Sequence, residues 1–189
     1  MELTPELLLN AYRQGLFPMG NEAGDVDWYC PDPRAVIPLE KAVPGRTMQR
    51  VLRKGRLRLS LDGAFERVMR ACGEREETWI TEEMVDAYTA LHRTGHAHSA
   101  EAWEGAELVG GIYGVSIGAA FFGESMFTRS DNAGKAAFHH LVDRLRAQGF
   151  VLFDSQIIND FTRTLGALEI PFTEFQVRLA KAVAEPDRW

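Results

Sequence analysis

The sequence predicts an α+β fold: a mixed, largely antiparallel sheet flanked by helices. A small N-terminal subdomain over residues 1–45 precedes a main domain over 46–189. Three observations carry this reading. Strand-like runs at 97–103, 108–115 and 119–126 follow one another across the short turns Glu104-Gly105 and Ile117-Gly118, the pattern of an antiparallel meander. An amphipathic helix (132–148), an apolar strand (150–154) and a helix beginning near Asp160 come next, which turns the meander into a mixed sheet with helices on its faces. Before all of this, Pro18, Pro31, Pro33, Pro38 and Pro44 interrupt any long element between residues 17 and 45.

Taken in order, Thr4-Pro5-Glu6 is a helix start, with a capping hydroxyl and Pro at the first helical position. Leu7, Leu8, Ala11 and Tyr12 form its apolar face, and Gly15 ends it. The proline-rich arm needs short strands, because Trp28, Tyr29, Val36 and Ile37 require burial. Leu57, Leu59 and Leu61 alternate with Arg56, Arg58 and Ser60 as a half-buried strand, and Asp62 is placed to cap a helix carrying Phe65, Val68, Met69 and Cys72 inward. Thr81, Glu82 and Glu83 start a helix with Met84, Tyr88 and Leu91 on its inner face, stopped by Gly95. Gly149 ends the helix at 132–148, and residues 173–184 form a last helix.

Composition narrows the function. The chain has 189 residues, 46% hydrophobic and 25% charged, which suits a folded globular protein. No apolar run is long enough to span a bilayer, and the first residues lack the pattern of a secretory signal, so a cytoplasmic protein is expected. Cys30 and Cys72 are read as reduced thiols, without metal-ligand spacing. A net charge of −6 opposes wholesale coating of nucleic acid but leaves room for a local basic patch. Such a patch is present: Arg46, Arg50, Arg53, Lys54, Arg56 and Arg58 follow one another with no acid between them. Arg46, Arg50, Arg53 and Lys54 share a helical face that suits phosphates, although a merely solvated face has the same pattern.

Two segments carry chemistry. The strand Phe150–Phe153 runs straight into Asp154, Ser155 and Gln156, and polar groups at a buried strand end are costly unless paired or used. Glycine flanks a second carboxylate in Gly123-Glu-Ser-Met-Phe127. If both runs are neighbouring strands, Glu124 and Asp154 open into one cleft. The plain alternatives are a cap on the next helix for Asp154, and an ion pair from Glu124 to Arg129 or Lys135. Phe121, Phe122, Met126, Phe127, Phe138, Leu141 and Phe153 fit a pocket wall or an ordinary core. His96, His98, His139 and His140 are read as structural or surface histidines. Gly110-Gly111-Ile-Tyr-Gly114 matches no dinucleotide or phosphate-loop pattern.

The blocks Trp28-Tyr-Cys-Pro-Asp-Pro-Arg-Ala-Val36, Thr78-Trp-Ile80, Gly95-His-Ala-His-Ser99, Glu107-Leu-Val-Gly-Gly-Ile-Tyr-Gly-Val115, Gly123-Glu-Ser-Met-Phe127 and Asp154-Ser-Gln156 occur in one order along nearly the whole chain. Together they resemble the leucyl/phenylalanyl-tRNA–protein transferases. That resemblance implies a GNAT acyltransferase-like core. It also implies an aminoacyl transferase that moves Leu or Phe from aminoacyl-tRNA to the N-terminal Arg or Lys of a protein, marking it for degradation. Asp154 and Gln156 match the family's catalytic pair and Glu124 its active-site glutamate. Arg46, Arg53 and Lys54 match the positions that contact the acceptor stem. Ile112, Phe121, Met126, Phe138, Leu141 and Phe153 fall where the family builds its apolar side-chain pocket. No cofactor or metal is implied, because the ester of aminoacyl-tRNA is already activated.

The resemblance has departures. Met19 stands where the family commonly has Trp against the terminal adenine. The usual member also has a longer N-terminus, so one or two of its strands are expected to be missing here. Two alternatives remain at this stage. An acyl-CoA-dependent acyltransferase would need a glycine-rich loop before residue 132, which is absent. A non-catalytic tRNA- or degron-binding module would not need Asp154, Gln156 and Glu124.

Overall fold

The computed structural model describes residues 3–189. Helix α1 (Pro5–Arg13) starts as the sequence indicates, with the Thr4 hydroxyl accepting from the Leu7 N–H. Strands β1 (Phe17–Gly20) and β2 (Val26–Tyr29) pair as a separate hairpin. The rest of the arm behaves differently. Strand β3 (Arg34–Val36), between Pro33 and Pro38, leaves the hairpin and joins the main sheet.

Helix α2 (Arg46–Arg53) carries the basic run, followed by β4 (Arg58–Leu61), α3 (Phe65–Gly73) and α4 (Glu82–Arg93). The meander is β5 (Ala97–Glu104), β6 (Glu107–Ile117) and β7 (Ala120–Thr128). Then come α5 (Ala133–Ala147), β8 (Leu152–Gln156), α6 (Asp160–Thr164), β9 (Leu168–Ile170) and α7 (Phe172–Val183). Seven strands form one sheet in the order β4-β5-β6-β7-β8-β3-β9. Every neighbouring pair in it is antiparallel except β7 and β8.

Successive strand residues point to opposite faces, and two cores follow from that alternation. Phe122 joins Leu8, Tyr12, Val68, Tyr88 and Val115 under the α1, α3 and α4 layer. Phe121 joins Phe138, Leu141, Val142, Leu145 and Phe153 under α5. Each fully buried side chain of this size contributes roughly 1.5–3 kcal/mol from leaving water.

One expected cap is absent. Helix α3 begins after Ala64 with no side-chain hydrogen bond at its cap, because Asp62 is engaged elsewhere. Its Oδ1 accepts from the Ser99 N–H (2.9 Å) and its Oδ2 lies 2.9 Å from His98 Nδ1, so it ties the entry of α3 to β5.

Candidate active site

The site lies where the one parallel pair comes apart. β7 and β8 run in register as Ala120↔Leu152, Phe121↔Phe153 and Phe122↔Asp154, and pairing stops there. Beyond that point each strand is bulged. On β7 the register to β6 jumps from Gly114↔Gly123 to Tyr113↔Ser125, so Glu124 is the unpaired extra residue. On β8 the register to β3 jumps from Val36↔Asp154 to Ala35↔Gln156, and Ser155 is passed over. A bulge re-aims a side chain that regular alternation would send elsewhere. Glycines permit the geometry: a Cβ on Gly114 would lie 2.2 Å from the Phe122 carbonyl oxygen, and one on Gly123 2.7 Å from Phe153 Cε2. Gln156 itself holds a left-handed backbone, φ +66.

Between the parted strands is a cavity of about 380 Å3. Ile37, Ile112, Met126, Phe138, Phe153 and Leu165 give it an apolar side. Glu124, Ser125, Ser155, Gln156 and Arg75 give it a polar one, while Met19 and Trp79 also reach its wall. Among its described lining residues Glu124 is the sole carboxylate. Gln156 Nε2 donates to Glu124 Oε1 at 2.6 Å, and the Tyr88 hydroxyl donates to Oε2 at 3.4 Å. Tyr12 and Tyr88 hydroxyls then meet at 2.5 Å. Burial pushes the Glu124 carboxyl up to about 8, and the neighbouring negative charge of Asp154 adds to it. Hydrogen bonds from Tyr12, Gln156 and Tyr88 oppose the rise. Glu124 is half-buried in the cavity wall, so its carboxyl is enclosed by protein yet reachable from the cavity. Burial raises the titration of Tyr12 and Tyr88 well above the ordinary tyrosine value, so both are neutral hydroxyls. Ser155 Oγ is buried without a hydrogen-bond partner in this wall.

Asp154 occupies a different place from the one its sequence position suggests. It is fully buried and does not line the cavity. Arg34 Nε donates to its Oδ1 at 2.9 Å and Nη2 to its Oδ2 at 2.6 Å, and Oδ1 also accepts from the Gln156 N–H at 2.9 Å. Arg34 is itself fully buried, donates through Nη1 to the Gly15 carbonyl, and lies over the rings of Phe17 (4.9 Å) and Phe175 (4.7 Å). Asp154 therefore neutralises a buried guanidinium and fixes the turn that aims Gln156.

Of the six expected pocket residues, Ile112, Met126, Phe138 and Phe153 line the cavity. Phe121 and Leu141 do not: both are fully buried in the layer behind it, where they pack among Phe138 and Phe153. Arg46 and Arg53 are exposed on α2, and Lys54 follows at its C-terminal end. The alternative ion pair from Glu124 to Arg129 or Lys135 does not form: Arg129 pairs with Glu74, and Lys135 lies over the Phe161 ring at 5.7 Å. The sequence marks Tyr12 and Tyr88 only as inward-facing helix residues and does not mark Arg34 as part of the site. A lone Arg between Pro33 and the apolar Ala35-Val36-Ile37 was the only available sign. Asp62, His92 and His98 bring ligand atoms within 4.8 Å of one another outside this cavity, where Asp62 also accepts from Trp189 Nε1 at 2.8 Å.

Comparison with known proteins shows the family. The family described as leucyl/phenylalanyl-tRNA protein transferase matches residues 36–180, and that family's N-terminal domain matches 1–32. A leucyl/phenylalanyl-tRNA–protein transferase of Gloeobacter violaceus is 51% identical over 97% of this chain and 96% of its own. One of Rubrobacter xylanophilus is 50% identical, again over 97% and 96%. The solved structure of FemX superposes with a TM-score of 0.57 over 87% of this chain and 66% of its own, at 13% identity, a likeness of fold alone. The core thus shares the fold of FemX, and the chain belongs to the leucyl/phenylalanyl-tRNA–protein transferase family, an aminoacyltransferase.

Proposed function

We propose that this chain transfers Leu, Phe or Met from aminoacyl-tRNA to proteins that begin with Arg or Lys, generating an N-degron in the cytoplasm. The observation that carries the reading is one cavity with two chemistries: an apolar side of Ile112, Met126, Phe138 and Phe153 facing the Glu124–Gln156 pair. The apolar side takes the donor side chain. It rejects Arg and Lys donors, because an unpaired buried charge costs several kcal/mol. Met19 and Trp79 flank the cavity where a terminal adenosine would stack, so Trp79 offers the ring that Met19 lacks.

The reaction forms a C–N bond and breaks the ester C–O bond. The attacking α-ammonium first loses one proton to solvent, the amine loses a second as the C–N bond forms, and the ribose oxygen gains one. Glu124 titrates in the same range as an α-amine, the match that proton transfer in both directions favours. In this reading Glu124 accepts the amine proton and returns it to the leaving oxygen, while Gln156 orients Glu124 and the ester. Positioning supplies much of the remaining acceleration. In its ionised form Glu124 also supplies negative charge for the acceptor's cationic end. Arg46, Arg53 and Lys54 hold the acceptor stem by charge.

A single-turnover assay tests this. Labelled Leu-tRNA, Phe-tRNA and Arg-tRNA are each offered to peptides beginning with Arg or with Ser. Leu and Phe should transfer to the Arg peptide alone, with Leu preferred because Phe153 shortens the pocket floor. Efficient use of Arg-tRNA would overturn the assignment of the apolar side. Equal transfer to both peptides would remove Glu124 as the acceptor's partner.

A further inference from the structure

A second cavity, of about 460 Å3, shares Leu165 with the first and lies among α2, α5 and the end of α6. Lys41, Arg46, Lys135, His139 and Arg163 line it, and no acidic residue is among the described lining. Arg163 reaches Glu169 only at 4.0 Å, in an exposed pair. Helix α2 begins in this wall. Its cap, Gly45, has no side chain to offer, and among the described residues the N–H groups of Arg46, Thr47 and Met48 make no hydrogen bond. Asn132, which starts α5 without capping it through its side chain, lines the same space. His139 in the wall is 8% exposed, and its Nδ1 has no partner.

These features share one requirement. Unpaired N–H groups at a helix start carry partial positive charge, and those of α2 sit here among basic side chains, whereas the first N–H groups of α5 are taken by the Ser130 carbonyl and the Thr128 hydroxyl. A neutral ligand would leave that charge uncompensated, whereas a phosphate oxygen accepts from several of these donors at once. We infer that this cavity seats a backbone phosphate of the single-stranded 3′ end of the aminoacyl-tRNA, upstream of the terminal adenosine. Adjacency to the first cavity selects that source: α6 lines both cavities and Leu165 belongs to both walls, so a strand ending in the first cavity passes its preceding phosphates along this wall. The inference rests on the aminoacyl-tRNA reading above. It gives Lys41, Lys135 and Arg163 a role separate from that of the stem-binding face of α2.

The test compares two donors on an Arg-starting peptide: leucyl-adenosine, which has no upstream phosphate, and a leucyl CCA trinucleotide. Lys135→Gln and Arg163→Gln should each lower kcat/KM for the trinucleotide by about tenfold, the worth of a charge-assisted contact. Both should leave leucyl-adenosine unchanged. Methylphosphonate linkages, which carry no charge, should bring wild type down to the variants' level. Lys135 is half-buried and Arg163 exposed, so melting temperatures should hold. Equal losses on both donors, no loss on either, or a difference that survives neutral linkages would overturn the inference while transfer by wild type leaves the donor reading standing. Stabilisation by inorganic phosphate as strong as that by the trinucleotide would assign the cavity to a free anion and also overturn it. Failure of wild type with both donors would remove the donor reading, and this inference with it.

Discussion

Asp154 and Arg34 share one buried ion pair, and removing either partner leaves the other charged without compensation. Breaking such a pair costs about 3–5 kcal/mol, whereas replacing both members with apolar residues of similar volume can be neutral. Asp154→Ala and Arg34→Ala should therefore each lower the denaturant midpoint strongly, and the double variant Arg34→Met/Asp154→Leu should recover much of the loss. Transfer should fall by about 10² or more in Asp154→Ala, because Gln156 and Glu124 lose their alignment. A single variant that keeps wild-type stability would show that the pair is not coupled in this way. Glu124 gives a second expectation, in pH. Its folded value of about 8 stands above its ordinary value of 4.5, so the native state keeps a proton that the unfolded chain has released between those values. The stabilisation is complete below pH 4.5 and is lost as pH rises through 8, at most a few kcal/mol in all. Glu124→Gln should remove this slope, and urea titrations across that range would read it. In kinetics the acceptor's α-amine titrates near 7.7–8.0 as well. Only the part of the limb that disappears in Glu124→Gln belongs to the enzyme. A profile identical in variant and wild type would make Glu124 structural.

Elements place these residues, and the bulges decide what the sequence could reveal. The strands at 97–104, 107–117 and 120–128 and the helix at 133–147 were readable because their apolar periods and turn residues are local signals. That Glu124 and Asp154 sit on adjacent strands was also readable, as two apolar runs each ending in a carboxylate. The displacement of Asp154 behind the wall was not. It depends on Arg34, a partner 120 residues away, and on a register jump at Ser155 that alternation cannot encode. A short strand near Val36 was expected, but the place of β3 was hidden for the same reason: three residues between prolines carry no period of their own, and its place in the main sheet comes from pairing with β8 and β9. The bulge at Glu124 gives a direct test. Gly114→Ala sets a Cβ against the Phe122 carbonyl, a backbone atom that cannot swing aside. A loss of about 1–3 kcal/mol is expected, as for other overpacked sites, together with reduced transfer. Gly73→Ala, whose Cβ would meet nothing nearer than 3.6 Å, is the matched control and should leave both unchanged. Equal stability of the two variants would remove steric demand as the reason for glycine at 114.

Across the whole molecule, charge is divided. The chain carries −6 in total, yet Arg46, Arg50, Arg53, Lys54 and Arg56 are exposed on one segment and form no ion pair among the described residues. The sequence made this patch visible, since no acid interrupts it. What it could not show is that the N-terminal end of the same helix opens onto a cavity adjoining the one with Glu124, because that neighbourhood is built by α5 and α6 from far along the chain. A cationic face on an anionic body attracts RNA at short range, while the body repels it elsewhere, so binding should depend steeply on salt. Each phosphate contact adds somewhat less than one unit to the slope of log K against log salt. Arg46→Ala/Arg53→Ala/Lys54→Ala should flatten the slope by about two to three units and weaken unrelated tRNAs alike, because phosphate contacts carry no sequence. Fluorescence anisotropy with two tRNAs of different sequence, titrated from low to high salt, measures both effects. Parallel slopes in wild type and variant would move the acceptor stem off α2, and unequal loss between the two tRNAs would mean that this face reads bases.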